Sequence, residues 1–185
     1  MDHDRVKWLS DQERHAWLTV AALMTKLPAA LDRQLQSDSG LSLFEYMVLV
    51  VLSEQSDRTM QMSDIAEFAS ASLSRLSHTA TRLEKQGLIT RQQVPGHGRR
   101  THATLTEAGF DKVRSSAPGH VQHVRDLLID NLTADDLASF ARIGEQILRK
   151  VDGPCDRHPT LPPRPSVDDQ QLPRFHTGST TQENR

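Results

Sequence analysis

Apolar positions recur at helical spacing along most of this chain, and the stripes they form predict a series of helices. Trp17, Val20, Ala21, Met24, Leu27, Leu31 and Leu35 make one broad stripe, opened by a capping box at Ser10 and Glu13. Pro28 falls inside it and predicts a kink or local break. After Gly40, Ser42 and Glu45 form a second capping box, with Leu41 and Tyr46 at the hydrophobic-staple positions. Met47, Val48, Val51 and Leu52 carry this second helix to about Gln55. A short helix over Met62–Ser70 is followed by one with Ser72 as N-cap, a run to Gln86 without Pro or Gly, and Gly87 as a left-handed terminator. At about 100° per residue, Leu73, Leu76, Ala80 and Leu83 share one face of that helix, while Ser74, Arg75, His78, Arg82 and Lys85 share the other.

The period then changes. Leu88 to Val94 and Arg99 to Leu105 are rich in Thr, Val, Ile and Leu and flank Pro95-Gly96-His97-Gly98, which predicts a β-hairpin. Thr106 caps a further helix running towards Asn131, with a kink expected at Pro118-Gly119. Thr133 and Asp136 form a third capping box, before a last helix carrying Leu137, Phe140, Ile143, Ile147, Leu148 and Val151. Two short helices followed by a basic hairpin make a winged helix-turn-helix, which sets one helix in a DNA major groove. The expected fold is mainly α with a small β-hairpin wing. One domain spans 1–151, with a DNA-binding lobe at about 42–106 and long dimerisation helices at about 10–37 and 107–151. Six of the nine prolines fall after Asp152, so 152–185 is expected to be a disordered tail.

Charge sharpens this picture. From Arg58 to Thr106 there are seven Lys or Arg against three Asp or Glu, a net +4; the whole chain carries −2, so the remainder carries −6. Positive charge is thus concentrated on the lobe that would face a duplex. Ser74, Arg75 and His78 suit phosphate oxygens and base edges, and Arg99 and Arg100 stand beside the hairpin tip, where an arginine can enter a minor groove. Helices with wide apolar stripes at both ends are what an intertwined homodimer interface requires.

Several classes are set aside. No 18-residue apolar span predicts a membrane helix, and the first residues lack the apolar centre of a signal peptide, so a cytoplasmic, nucleoid-associated protein is expected. The single cysteine, Cys155, excludes an internal disulfide and a thiolate cluster. There is no Gly-x-Ser-x-Gly elbow, no His-Glu-x-x-His and no phosphate loop, so no enzyme activity, catalytic residue, cofactor or metal is expected. Two alternatives to a ligand-controlled DNA reader stay open. One is a metal-responsive regulator, from His120, His123 and Asp126 at helical spacing; the other is a winged-helix protein-interaction module.

The chain resembles the MarR family of bacterial winged-helix regulators. The resemblance spans roughly Leu9 to Val151. It rests on Gly40-Leu41-Ser42-Leu43-Phe44-Glu45-Tyr46, Met62-Ser63-Asp64-Ile65-Ala66, Ser72-Leu73-Ser74-Arg75-Leu76-Ser77, Thr81-Arg82-Leu83-Glu84-Lys85-Gln86-Gly87-Leu88-Ile89 and Leu105-Thr106-Glu107-Ala108-Gly109. It implies a homodimeric DNA-binding regulator, usually a repressor, that binds a near-palindromic operator and is released by a small aromatic effector. By motif position it assigns recognition to Ser72, Ser74, Arg75, His78 and Thr79, a phosphate contact or a bracing role to Arg82, and the wing tip to Arg99. Many members carry an acidic residue where this chain has His97. The effector pocket it implies, between dimer helices and DNA-binding lobe, would draw on Trp17, Phe44, Tyr46 and Met47.

Overall fold

The computed structural model describes residues 6–93 and 100–151; Arg99, the Pro95–Gly98 turn and the Pro-rich tail lie outside the described residues. Three capping boxes set the helix starts. Helix α1 (Asp11–Ser39) opens with Ser10 N donating to Glu13 Oε2 at 2.7 Å and Glu13 N to Ser10 Oγ at 3.3 Å. Gly40 closes it at φ +66°, a left-handed conformation that costs glycine nothing. Helix α2 (Leu43–Ser53) repeats the device, with Ser42 N to Glu45 Oε2 at 2.8 Å and Glu45 N to Ser42 Oγ at 3.2 Å. The box before the last helix closes between Thr133 and Asp136, with Asp136 N to Thr133 Oγ1 at 3.2 Å.

Strand β1 (Thr59–Gln61) leads into α3 (Met62–Phe68) and α4 (Leu73–Lys85), then β2 (Ile89–Gln93) and β3 (Thr101–Leu105). The expected hairpin is there, but as part of a three-stranded antiparallel sheet ordered β1-β3-β2. Thr59 lies opposite Thr104, and Ile89 opposite Leu105. Three residues are too few to show a period, so β1 left no pattern to read. Helix α5 (Glu107–Leu127), a 3-10 turn (Ile129–Asn131) and α6 (Ala134–Val151) complete the chain. The helix expected to reach Asn131 therefore ends four residues earlier and tightens into that turn.

Neither proline breaks its helix. Helix α1 continues through Pro28, and α5 through Pro118-Gly119. The two helices pack along each other, and a Cβ on Gly119 would stand 3.4 Å from Gln34 Nε2 of α1. Each proline removes one backbone hydrogen bond without ending its helix.

The core sits in the lobe between α2 and the sheet. Leu35, Leu41, Leu49, Leu52, Ile65, Leu76, Leu83 and Ile89 are all but inaccessible. Leu73, expected on the buried face of α4, is instead 57% exposed. It is the first residue of the helix and borders an open cleft with Met62 and Arg100. The stripe of α1 is likewise mostly uncovered: Leu35 is buried, whereas Trp17, Val20 and Met24 are exposed. So are Phe140, Ile143, Ile147, Leu148 and Val151 of α6. No single helix among the described residues is long and apolar enough to cross a membrane.

Where α5 crosses α2, the rings of Tyr46 and His120 lie 4.7 Å apart at 57°. Burial holds the His120 imidazole below its usual pKa, and the nearby His123 adds to the effect. A depressed histidine binds its proton later in the fold than in the unfolded chain. Its stabilising effect is thus complete above the ordinary histidine pKa and is lost as pH falls through it. Thermal melts should show a midpoint that drops between pH 7.5 and 5.5, with a shallower drop in His120→Phe. A second prediction concerns Gly109 in the first turn of α5, where a Cβ would stand 2.1 Å from the Leu88 carbonyl oxygen. Gly109→Ala should cost about 1–3 kcal/mol in urea unfolding, because backbone must move to admit the methyl group.

Candidate nucleic-acid interface

Helix α4 owes its orientation to its buried residues. Leu76, Ala80 and Leu83 are at most 1% exposed, which turns Ser74, Arg75, His78, Arg82 and Lys85 to solvent. Ser72 is the N-cap, its Oγ accepting from Arg75 N at 3.2 Å. Thr79 lies half-buried between the two faces. The recognition residues read from sequence therefore share one end and one side of a single helix.

Side chains from the rest of the lobe grip both flanks of that helix. On the α2 flank, Arg75 lays its guanidinium over the Phe44 ring at 4.3 Å from the centroid. Arg82 donates from Nε to Glu45 Oε1 at 2.5 Å. Glu45 is 1% exposed, and its other oxygen takes both Ser42 N and Ser42 Oγ at 2.8 and 2.9 Å. One carboxylate thus caps α2 and ties it to α4. Of the two roles open to Arg82, bracing accounts for its Nε and leaves the other nitrogens on a side chain 57% exposed. On the wing flank, Arg91 of β2 reaches Glu84 Oε2 from Nε and Nη2 at 3.0 and 2.6 Å and Thr81 Oγ1 at 3.1 Å. Its backbone N also meets Glu84 Oε1 at 3.1 Å. The Arg91 hydrogen bonds hold the Glu84 carboxyl below its usual pKa, so it stays an anion at the pH of use.

These ties redistribute the lobe's charge. Arg58 is paired with Glu107 at 2.7 Å and stacks on Phe110 at 4.0 Å. With Arg82 and Arg91 also paired, three of the seven cations counted from sequence are internally answered. Glu45 and Glu107 lie outside the counted span, which is why the net +4 overstated the field. Among the described residues, Arg75, Lys85 and Arg100 have no carboxylate at ion-pair distance. Arg100 is exposed immediately before β3, and Arg99 lies outside the described residues.

A cavity of about 550 Å³ opens where α1, α2 and α4 meet. Pro28, Phe44 and Met47 supply apolar walls; Arg75, Thr79 and Arg82 face it from α4, and Asp32 from α1. Asp32 Oδ1 also accepts from Leu43 N at 2.8 Å, fixing α1 to the start of α2. Of the four pocket residues named from sequence, Phe44 and Met47 line this space, Tyr46 turns into the core against His120, and Trp17 stands exposed further up α1. His120, His123 and Asp126 do not converge: His120 faces Tyr46, and Asp126 accepts from Gln122 at 2.8 Å. No group of three His, Cys, Asp or Glu among the described residues is placed to hold a metal.

Sequence reading missed the second role of Glu45, the Arg91–Glu84 tie and the exposure of Leu73. The first two join residues on different elements, which no periodicity reports.

The sequence model of the MarR family matches residues 39–100. Sco3205 of Streptomyces coelicolor, a MarR family transcriptional regulator solved in complex with DNA, is 36% identical; the match covers 82% of this chain and 95% of that one, with a TM-score of 0.78. AbsC of the same organism, also a MarR family transcriptional regulator, is 37% identical over 80% of this chain and 99% of its own, with a TM-score of 0.75. Sco5413, from that organism too, shares the fold at 22% identity, 77% and 98% coverage and a TM-score of 0.65. None of the curated proteins matches the chain.

Removing the guanidinium that answers Glu45 should be felt in stability. Arg82→Ala is expected to lower unfolding free energy by about 1.5–3 kcal/mol, the range for a hydrogen bond to a charged group. Arg82→Lys should recover only part of it, since an ammonium lacks the Nε geometry. Urea titration of the variants, with Glu45→Ala to close a double-mutant cycle, checks both.

Proposed function

The chain belongs to the MarR family of DNA-binding transcriptional regulators, and we propose that it works as a homodimeric repressor whose operator is near-palindromic and whose release is triggered by a small aromatic compound. The observation that carries this reading is the solvent-facing side of α4, polar and cationic along its length and gripped at both flanks. Ser72, Ser74, Arg75, His78 and Thr79 are assigned to base edges and phosphates at the leading end of the helix. Arg82 keeps Nη groups for a phosphate while its Nε braces Glu45. Arg100 and, by resemblance, Arg99 are assigned to the adjacent minor groove.

Two copies are needed to bury what one leaves bare. Phe140, Ile143, Ile147 and Val151 run along one side of α6, exposed, and Trp17 and Met24 of α1 are exposed as well. A patch of this kind on a soluble chain calls for a partner. A second copy supplies the same stripe by symmetry, which a C2 interface requires. It also gives a two-fold pair of reading helices to match a two-fold operator.

The cavity supports the effector part. Its volume of about 550 Å³ suits a small molecule, its Phe44 and Met47 walls suit a ring, and Arg75 and Arg82 suit an acidic or phenolate oxygen. An occupant there touches α1 and α4 together. If it binds one spacing of those helices better than another, it shifts the dimer away from the spacing that fits DNA.

The protein should sediment as a dimer and bind a duplex selected from random DNA, with half-sites about 10 base pairs apart. Affinity should fall steeply as salt rises, because several counterions are released. Ile147→Asp should be monomeric, retain its helical circular dichroism and lose tight binding. Duplex binding that is absent, or indifferent to salt, would favour the interaction-module alternative.

A further inference from the structure

Leu73 is the one large apolar residue of α4 that the fold leaves uncovered. Its side chain is 57% exposed, whereas Leu76, Ala80 and Leu83 are at most 1% exposed. It occupies the first position of the helix, next to the Ser72 cap. Helical side chains lean back towards the N-terminus, so Leu73 projects ahead of the end that leads into a major groove. On the helix wheel it stands on the wing flank, one turn before Ser77, and with Met62 and Arg100 it borders a cleft of about 290 Å³. Its neighbours Ser74 and Arg75 are polar and exposed.

Water would be better met here by a hydroxyl or an amide. An alkyl group among donors at the tip of a reading helix suits a partner that is apolar at one point and polar around it. The major-groove edge of an A·T pair has that character: the C5-methyl of thymine beside hydrogen-bonding atoms. We propose that Leu73 is a specificity-determining residue, packing its isobutyl group on the 5-methyl of one thymine in each half-site. This rests on the proposed entry of α4 into the major groove and adds the identity of one base to it.

The test changes the DNA and the protein separately. A preferred duplex is first selected from random sequence with the full-length protein. Each thymine of a half-site is then replaced in turn by deoxyuridine, which keeps every hydrogen bond and removes only the methyl group. At one thymine per half-site the substitution should weaken binding about four-fold, the worth of one buried carbon. Leu73→Ala should bind the thymine duplex more weakly than the wild type and be indifferent to the same replacement. Selection repeated with Leu73→Ala should yield no preference for thymine there. If no thymine methyl matters, or if Leu73→Ala responds to deoxyuridine as the wild type does, the assignment falls while the DNA reading stands. If selection yields no preferred duplex at all, the DNA reading falls and takes this proposal with it.

Discussion

A carboxylate shut away from water has to be answered by donors, and in this fold that demand falls on Glu45. Two donors on Ser42 satisfy one oxygen and the Arg82 guanidinium the other. The first pair starts α2; the second ties α2 to α4. The tie to Arg82 adds a second constraint to the orientation that the buried Leu76, Ala80 and Leu83 already give α4, and the polar side looks outward.

The lobe does not carry its positive charge evenly. Cations that hold the architecture together are matched by Glu45, Glu84 and Glu107, and those left over lie towards the leading end of α4, its last turn and the wing. A simple count of lysines and arginines merges the two kinds. The distinction bears on mechanism, since only a cation without a fixed partner releases much counterion atmosphere when a phosphate approaches.

What could be read from sequence was what is local. The capping boxes at Ser10, Ser42 and Thr133, the left-handed Gly87 and the amphipathic α4 all involve residues a few positions apart, and each forms as expected. Strand β1 exists only because Thr59 to Gln61 meets residues more than forty positions away. Helices α1 and α5 run unbroken through Pro28 and Pro118, and their packing on each other is again a contact between distant residues. Of the site, the outward residues of α4 were legible from periodicity, whereas the Phe44 stack under Arg75 and the paired state of Arg58 and Arg91 needed coordinates. Leu73 was placed with the core because a wheel has no ends, and a helix does.

The Arg91 fork carries a consequence of its own. It bonds the wing to α4 at Glu84 and at Thr81, one turn apart along the helix, so it resists both sliding and twisting of strand against helix. Strand and helix therefore travel as one body. With α4 and the wing in adjacent grooves, as proposed, the distance between those grooves is set by the protein, not negotiated site by site. A DNA whose minor groove sits a base pair too near or too far must itself bend or retwist, and its stiffness becomes part of what is recognised.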